Sequence, residues 1–368
     1  MNMRVVAIGN HPLFAVAVTL LGVIAGLVGS LYTEQIKRSF PFHLSWPVSA
    51  DPQAILFWLI ISSFALMFFG RQWASDKSVL KAQRELIEQS ASLQALIKTL
   101  PPEGFLSWWS SRYCACRKVA RKVLNTKEIT IDQIEEAIRQ VLQHVVFLGV
   151  EFDGVPADCR YAANIMLYCN REGMKDDEMN RIGGILKFFD RDYSALQGYL
   201  ELLPKLSVAS DTEKHAQDEH LEAFALPVDK LEVSEHGKIR QLPGAPLTFW
   251  QNGPSHFADA SQLAEWCMKH GDFSDSVEQA INAYFKSERA QRIKSFASIP
   301  IPNPKSVDDG KVSQPMAVLN IHRDRMDMLR GADAFKLFFP LAAPFTALIG
   351  ELLVARQNLA KSATITMV

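Results

Sequence analysis

The sequence has almost no net charge, because 39 Lys and Arg residues oppose 40 Asp and Glu residues and leave −1 at pH 7. This balance gives no attraction to a partner of extreme charge, so we expect no nucleic acid to be bound. Apolar residues make up 48% of the chain and charged residues 21%, which is typical of ordinary globular protein. Cysteines are few and follow no secreted-domain spacing: Cys114, Cys116, Cys159, Cys169 and Cys267. We therefore predict a reducing compartment and no disulfide framework.

The motifs of well-known enzymes and metal sites are also missing. The sequence has no G-x-S-x-G nucleophile elbow, no G-x-x-x-x-G-K-[ST] phosphate loop, no H-E-x-x-H and no paired C-x-x-C. On a helix, Cys114 and Cys116 would point about 200° apart. His215 and His220 would likewise face different sides of a helix. We therefore expect no enzymatic activity, no cofactor and no metal site.

Charges are absent from two N-terminal stretches. Pro12 to Tyr32 holds 21 residues without a charge, and Ala54 to Gly70 holds 17. A helix needs about 20 apolar residues to cross a bilayer. Both stretches are therefore predicted to span it as a transmembrane helical hairpin, within a two-helix anchor of residues 1–74. The first stretch is long for a signal peptide and lacks a small-x-small cleavage site, so we expect the anchor to be retained.

Basic residues flank the second stretch unevenly. Four of them follow it, and two lie between the stretches: Arg71, Lys77, Lys81 and Arg84 against Lys37 and Arg38. The positive side of a span normally stays in the cytoplasm. We therefore predict a multi-pass protein of the inner, cytoplasmic membrane with both termini in the cytoplasm.

Residues 75–127 are predicted to form a helical connector. Asp76 to Leu100 contains no Gly or Pro, which favours a helix that continues from the second span. Four apolar residues recur every seven positions: Val79, Leu86, Leu93 and Leu100. This repeat predicts dimerisation through a coiled coil, and hence a homo-oligomer. An amphipathic helix lying against its own domain is an equally good interpretation of the same pattern.

Residues 128–368 are predicted to form an α+β domain, an antiparallel sheet flanked by helices. Thr130 opens its first helix. Six short runs bounded by Gly, Pro, Asp or Asn are typical of strands: Tyr161–Cys169, Gly184–Phe189, Gln197–Leu203, Glu222–Val228, Ser295–Pro302 and Gln314–His322. Helical spacing predicts an insertion over Asp259–Arg292 and a closing helix over Ala332–Leu359. Pro340, Pro344 and Glu351 interrupt that last apolar stretch, which favours packing on the domain over a third span.

Four C-terminal segments carry a resemblance to a known family: Ser295–Pro302 (SFASIPIP), the loop around Asp308–Gly310, Met316–His322 (MAVLNIH) and Phe338–Leu348 (FFPLAAPFTAL). In order and hydrophobic pattern they resemble the end of a GAF domain. The resemblance spans Asp132 to Leu353, is specific only over the last sixty residues, and implies a sensor of small molecules or proteins. The Asn-Lys-Phe-Asp-Glu signature and the chromophore-attaching Cys-His pair are absent, so neither cyclic nucleotides nor bilins are implied as ligands.

The resemblance places a ligand cavity under the sheet, lined by the region from Pro243 to Trp266. This region mixes apolar and polar side chains, as pockets do. The ligand-binding residues so implied are Phe249, Trp250, Asn252, His256 and Asp259. The alternative is a connecting loop with buried aromatic residues. Asn320 and His322 in the last strand point into the core or a pocket, and packing is the commoner explanation for a lone histidine.

These patterns lead us to expect a membrane-anchored cytoplasmic GAF-like sensor. It would bind a small-molecule ligand or a protein partner and signal through oligomerisation or through its membrane spans. One alternative is a membrane-disrupting effector of a bacterial stress or phage-defence response, in which binding oligomerises the hairpins. Another is a ligand-free membrane scaffold that holds a soluble partner.

Overall fold

The structure is a computed structural model of the chain. It describes residues 11–38, 52–154, 158–172, 174, 176–190, 193–212, 215–219, 221–229, 240–287, 292–304 and 314–366, so the loop around Asp308–Gly310 lies outside the described residues. Two compact units are present, Met1–Lys98 and Thr99–Val368. The second unit combines helices with an antiparallel sheet, which is the fold class expected for it.

The first unit contains three described helices: α1 (Pro12–Leu31), α2 (Thr33–Arg38) and α3 (Pro52–Thr99). Pro12 suits the first turn of α1, because a proline lacks the amide hydrogen that would be unpaired there. His11 caps this helix by accepting a hydrogen bond at Nδ1 from the amide of Leu13, at 3.2 Å. Helix α3 runs unbroken for 48 residues from the second apolar stretch. The predicted continuation of the helix beyond that stretch is therefore confirmed.

Helices α1 and α3 contact each other through two glycines of α1. A Cβ atom at Gly22 would lie 3.0 Å from the ring of Phe64, and one at Gly29 would lie 3.0 Å from the ring of Phe57. Seven residues forward along α1 thus match seven residues backward along α3, so the two helices run antiparallel at this contact. Both are long and apolar enough to cross a membrane. Residues 39–51 lie outside the described residues, and a hairpin across a bilayer remains a prediction.

The second unit is built from seven described helices and six strands. The helices are α4 (Phe105–Leu124), α5 (Ile131–Asp153), α6 (Asp176–Ile185), α7 (Ala245–Gln251), α8 (Leu263–His270), α9 (Asp275–Lys286) and α10 (Ala332–Thr366). The strands are β1 (Tyr161–Asn170), β2 (Leu196–Ala209), β3 (Phe224–Asp229), β4 (Ser255–Phe257), β5 (Ser295–Ile301) and β6 (Ala317–Arg323). They form one antiparallel sheet in the order β3-β2-β1-β6-β5-β4.

Helix α5 begins where the sequence predicts it. The hydroxyl of Thr130 accepts from the amide of Gln133 at 3.3 Å, and the side chain of Gln133 accepts from the amide of Thr130 at 3.0 Å. This reciprocal capping box satisfies two amide groups that a helix start otherwise leaves unpaired. Gly154 ends the helix with a φ of 60°, a conformation that favours glycine.

Helices α5 and α10 cover one face of the sheet, and α4 packs on both of these helices. Side chains alternate between the two faces along a strand, and those under these helices are apolar and buried: Ala163, Ile165 and Leu167 of β1, Ala317, Leu319 and Ile321 of β6, and Ala297, Ile299 and Ile301 of β5. Ile138 of α5 and Phe345 of α10 are fully buried against them. This face is the main hydrophobic core.

Helix α10 is a third stretch long and apolar enough to span a membrane, and it contains Pro340 and Pro344 within the helix. Half of its apolar stretch is buried, with Phe338, Phe345 and Ile349 inside the core. The indole of Trp109 on α4 donates a hydrogen bond to the carbonyl of Leu341 at 2.9 Å. The helix therefore packs on its own unit, as the interrupting prolines lead us to expect.

The structure differs from the sequence prediction in one strand. Gly184–Phe189 is not a strand, because Asp176–Ile185 forms helix α6 and only Leu186 makes an isolated bridge, to Ala225. Met179, Ile182 and Ile185 follow a helical spacing of three, and Ile182 is buried. The two adjacent glycines suggest a strand boundary, but they lie inside the last turn of this helix. Strand β4 and helix α7 are additional elements that the sequence analysis does not predict.

Candidate ligand-binding cavity

A cavity of about 1060 Å³ lies against the face of the sheet that α5 and α10 leave uncovered. The strand residues that line it alternate with those of the packed core: Asn164 and Met166 of β1, Asn320 and His322 of β6, and Phe296 and Ser298 of β5. The side chains of α8, α9 and β3 form apolar walls: Leu263, Cys267, Ile281, Tyr284, Phe224 and Leu226. A large, mostly apolar cavity with a few convergent polar groups is the usual form of a small-molecule site.

Three polar side chains form a hydrogen-bonded row across the sheet beneath this cavity. Asn164, Asn320 and Ser298 lie opposite one another on adjacent strands. The hydroxyl of Ser298 donates to Oδ1 of Asn320 at 2.7 Å, and Nδ2 of Asn320 donates to Oδ1 of Asn164 at 3.0 Å. These bonds hold the side chains in position. The only hydrogen bond of the Asn164 side chain within the described residues is the one that Oδ1 accepts, so Nδ2 has no acceptor there.

His322 lies next to this row on the same face and is only 6% exposed. Burial is the main cause that lowers its pKa to about 4, and the nearby guanidinium of Arg160 acts in the same direction, whereas the carboxylate of Asp218 opposes them. The imidazole is therefore neutral at physiological pH, with one nitrogen that donates and one that accepts a hydrogen bond.

Asn164, His322 and Arg160 form the polar end of the cavity. Two carboxylates pair with Arg160 there. Its Nη2 lies 2.8 Å from Oδ2 of Asp218, and its Nε lies 2.9 Å from Oδ2 of Asp211. These ion pairs raise the pKa of Arg160 against the opposing effect of burial. The charge of the guanidinium is thus compensated within the protein.

The entry into helix α7 brings the main chain close to the cavity. Gly244 has a φ of 83°, and a Cβ atom at this position would lie 2.8 Å from the ring of Phe296. A side chain here would therefore both strain the backbone and displace a ring that lines the cavity. Pro243 and Ala245 line the cavity beside this glycine.

The five predicted ligand-binding residues do not line this cavity, although their region contributes other residues to it. Phe249 is buried in α7 and stacks on Tyr168 with ring centroids 4.1 Å apart. Trp250 follows it, and its indole nitrogen is buried without a partner in the described part of the chain. Asn252 ends α7 in a left-handed conformation, with a φ of 48°. The role of these three residues in binding stays a prediction.

His256 and Asp259 line a second, smaller cavity of about 550 Å³. Nε2 of His256 lies 2.9 Å from the carbonyl oxygen of Met328, and its ring stacks on Phe335. Burial lowers the pKa of His256, although the carbonyl of Met328 opposes this effect. Asp259 accepts a hydrogen bond from the amide of Ser261 at 2.9 Å. Both side chains thus already bond to other groups of the protein, and their role as ligand contacts also stays a prediction.

The predicted dimerisation residues lie along helix α3 and just beyond its end. Val79, Leu86 and Leu100 are exposed, and the side chain of Leu93 lies outside the described residues. The carbonyl oxygen of Leu100 accepts a hydrogen bond from Nη1 of Arg330 at 2.8 Å. Exposed apolar residues at this spacing suit a partner helix, and the dimer stays a prediction.

Asn164, Ser298 and Arg160 line the cavity although no sequence pattern described above indicates them. Asn320 and His322 also line it; for them the sequence leaves the core and a pocket open, with packing the commoner explanation for the lone histidine. A signal is present in the strands themselves: β1, β5 and β6 each carry a polar side chain at a position that alternates with buried apolar residues. Among the described residues no group of three His, Cys, Asp or Glu side chains is placed to hold a metal ion.

No protein-family model matches the chain, and no curated protein shows significant similarity to it.

Proposed function

We propose that the chain is a membrane-anchored sensor with a GAF-like second unit that binds a small molecule in the cavity under the sheet. The observation that carries this proposal is the row of Asn164, Asn320 and Ser298 at the base of a cavity with apolar walls. Buried polar side chains are normally satisfied within the protein, whereas Asn164 and His322 line a space that a ligand can fill and keep polar atoms without a partner among the described residues.

In this proposal the apolar helices α1 and α3 form a hairpin in the inner membrane, with both termini in the cytoplasm. Their antiparallel contact at Gly22 and Gly29 and the basic residues after Gly70 support this arrangement. Ligand binding in the second unit changes the association of the chains through α3, whose exposed Val79 and Leu86 are available to a second copy. A protein partner is the alternative to the small molecule: its binding to the second unit would change the association of the chains in the same way.

Thermal unfolding of the full chain in lipid nanodiscs tests the binding step. A library of metabolites is added singly, and we expect at least one compound to raise the melting temperature of the second unit. Ala283→Trp places an indole at an exposed position of the cavity lining and should abolish this rise. Leu337→Trp, at an exposed position of α10 outside the lining, should preserve it.

Two results would replace the sensor with one of its alternatives. If no compound stabilises the wild-type chain, the proposal fails and a ligand-free scaffold takes its place. If the ligand releases a dye trapped in vesicles that carry the protein, the chain is a membrane-disrupting effector that uses the same cavity.

A further inference from the structure

The polar end of the cavity offers hydrogen-bond donors that the protein does not use. Asn164 lines the cavity and is 6% exposed, and its Oδ1 is already occupied by Asn320, whereas its Nδ2 has no acceptor among the described residues. His322 is equally buried, and neither ring nitrogen has a hydrogen-bond partner within the part of the chain that the structure describes. Two neighbouring polar side chains that line the cavity and have donors without partners point to an occupant that supplies those partners.

This end of the cavity carries no uncompensated charge. Arg160 is paired with Asp218 and Asp211, and the imidazole of His322 is neutral. The other charged side chains of the lining are exposed and of both signs: Lys187, Glu222 and Arg292. A carboxylate or phosphate group would therefore lose its water at the polar end without gaining a counterion, which is unfavourable.

The rest of the cavity suits an apolar body. Leu263, Ile281 and Phe296 line it, and its volume of about 1060 Å³ is that of a site for a large organic molecule. An apolar body gains free energy by leaving water for such walls. The neutral donors at one end and the apolar walls elsewhere together define an amphipathic occupant.

We propose that the cavity binds an uncharged amphipathic molecule whose carbonyl or amide oxygen accepts from Nδ2 of Asn164 and bonds to the ring of His322, with its apolar body against α8 and α9. This inference rests on the proposed function, because it names the class of ligand that the sensor detects. It assigns Asn164, which no sequence motif marks, as the residue that recognises the ligand's polar group.

Benzophenone is a suitable probe, because its ketone accepts hydrogen bonds, its rings are apolar, and ultraviolet light inserts it into neighbouring C–H bonds. The full chain in lipid nanodiscs is irradiated with benzophenone, and the modified peptides are mapped by mass spectrometry. We expect labelling of cavity residues such as Met166, Leu263 and Ile281. The anion 4-benzoylbenzoate, which has the same rings, should label them at least tenfold less.

Two variants at Asn164 separate the effect of losing the Nδ2 donor from the effect of changing the volume of the cavity. Asn164→Leu fills part of the cavity and Asn164→Ala enlarges it, but both remove Nδ2, so both should lower benzophenone labelling at least fivefold. Asn170→Leu, at the exposed end of the same strand and outside the lining, should label as the wild type does. Thermal melts verify that each variant is folded.

The outcomes distinguish the ligand class from the function itself. Cavity labelling by 4-benzoylbenzoate that equals or exceeds that by benzophenone overturns the uncharged class and leaves the sensor in place. Labelling confined to the apolar helices α1 and α3 shows partition into lipid and likewise overturns the inference. If benzophenone labels both Asn164 variants as strongly as the wild type, Asn164 does not recognise the ligand's polar group. The sensor itself is tested separately, by the thermal assay and the dye-release assay described above.

Discussion

The two faces of the same sheet have opposite characters. On one, β1, β5 and β6 present only apolar side chains to α5 and α10 at the centre of the strands, and the space between them is filled. On the other, the same strands present Asn164, Ser298 and Asn320 to a large cavity. A close-packed face stabilises the fold, whereas polar groups held beside empty space contribute little to it. For this reason our proposal places the ligand on the second face.

The largest expected effect is on the packed face. Phe345 is fully buried on α10 and makes edge contacts with the rings of Trp109 and Tyr113. Phe345→Ala should lower the free energy of unfolding by about 3–5 kcal/mol, because it leaves a cavity in a close-packed core. Denaturant unfolding of the second unit within the full chain measures this loss. Leu337→Ala on the exposed side of the same helix should change it by less than about 0.5 kcal/mol, and a similar loss for both variants would contradict the contrast.

A buried ion pair at the edge of the packed face provides the next test. Asp153, whose side chain is 2% exposed, lies 2.6 Å from Nη1 of Arg323 and also accepts from the hydroxyl of Tyr161 and the amide of Leu329. Burial and this carboxylate raise the pKa of Tyr161, so its hydroxyl keeps its proton. Arg323→Met leaves the carboxylate buried and unpaired.

This substitution should cost about 3 kcal/mol, near the lower end for breaking a buried pair. The exposed pair between Arg325 and Asp158 has the same N–O separation, 2.6 Å, and serves as the control. Arg325→Met should leave the unfolding midpoint unchanged, since water screens exposed ion pairs. Equal destabilisation by the two substitutions would show that burial does not decide the strength of these pairs.

The helices and strands of the packed face could be predicted from the sequence better than the cavity. The capping box at Thr130 and the broad apolar face of α5 are local signals, and so are the apolar runs of β5 and β6. The failure at Gly184–Phe189 arises because a short apolar run next to two glycines fits a strand as well as a helix.

The polar row could not be predicted because strand register is not local. Asn164 and Asn320 are 156 residues apart in the chain, and only the pairing of β1 with β6 places them opposite each other. The pocket prediction followed the aromatic residues between Pro243 and Trp266, of which Phe249 instead fills a smaller core with Ala245 and Val318.

On the cavity face, His322 should make stability depend on pH. Its pKa is lowered from 6.5 to about 4 in the folded chain. A histidine with a lowered pKa favours folding while it is neutral, so its contribution is complete above pH 6.5 and is lost as the pH falls towards 4. At about 1.4 kcal/mol per pKa unit, the loss at pH 5 is about 2 kcal/mol.

Unfolding free energies of the wild type and of His322→Gln, measured between pH 4 and pH 8, check this expectation. Glutamine does not titrate, so the variant should lack this part of the acid-induced loss. Arg160 and Asp218 face His322 and remain in both proteins, which makes the difference between the two curves specific to His322. Parallel curves for the wild type and the variant would contradict the assignment.

The smallest expected effect on stability is that of replacing Asn164. The adjacent residue of β1, Ala163, faces the opposite side of the sheet and provides the comparison. Ala163 is fully buried under the helices, so Ala163→Leu overfills the core and should cost about 1–3 kcal/mol. Asn164→Leu points into the cavity, where the added methyl groups have room and the main loss is the bond from Asn320. We expect this second substitution to cost about 1 kcal/mol, the usual value of one hydrogen bond. Paired denaturant titrations compare the two, and a greater loss for Asn164→Leu would mean that the polar row holds the fold together instead of serving a ligand.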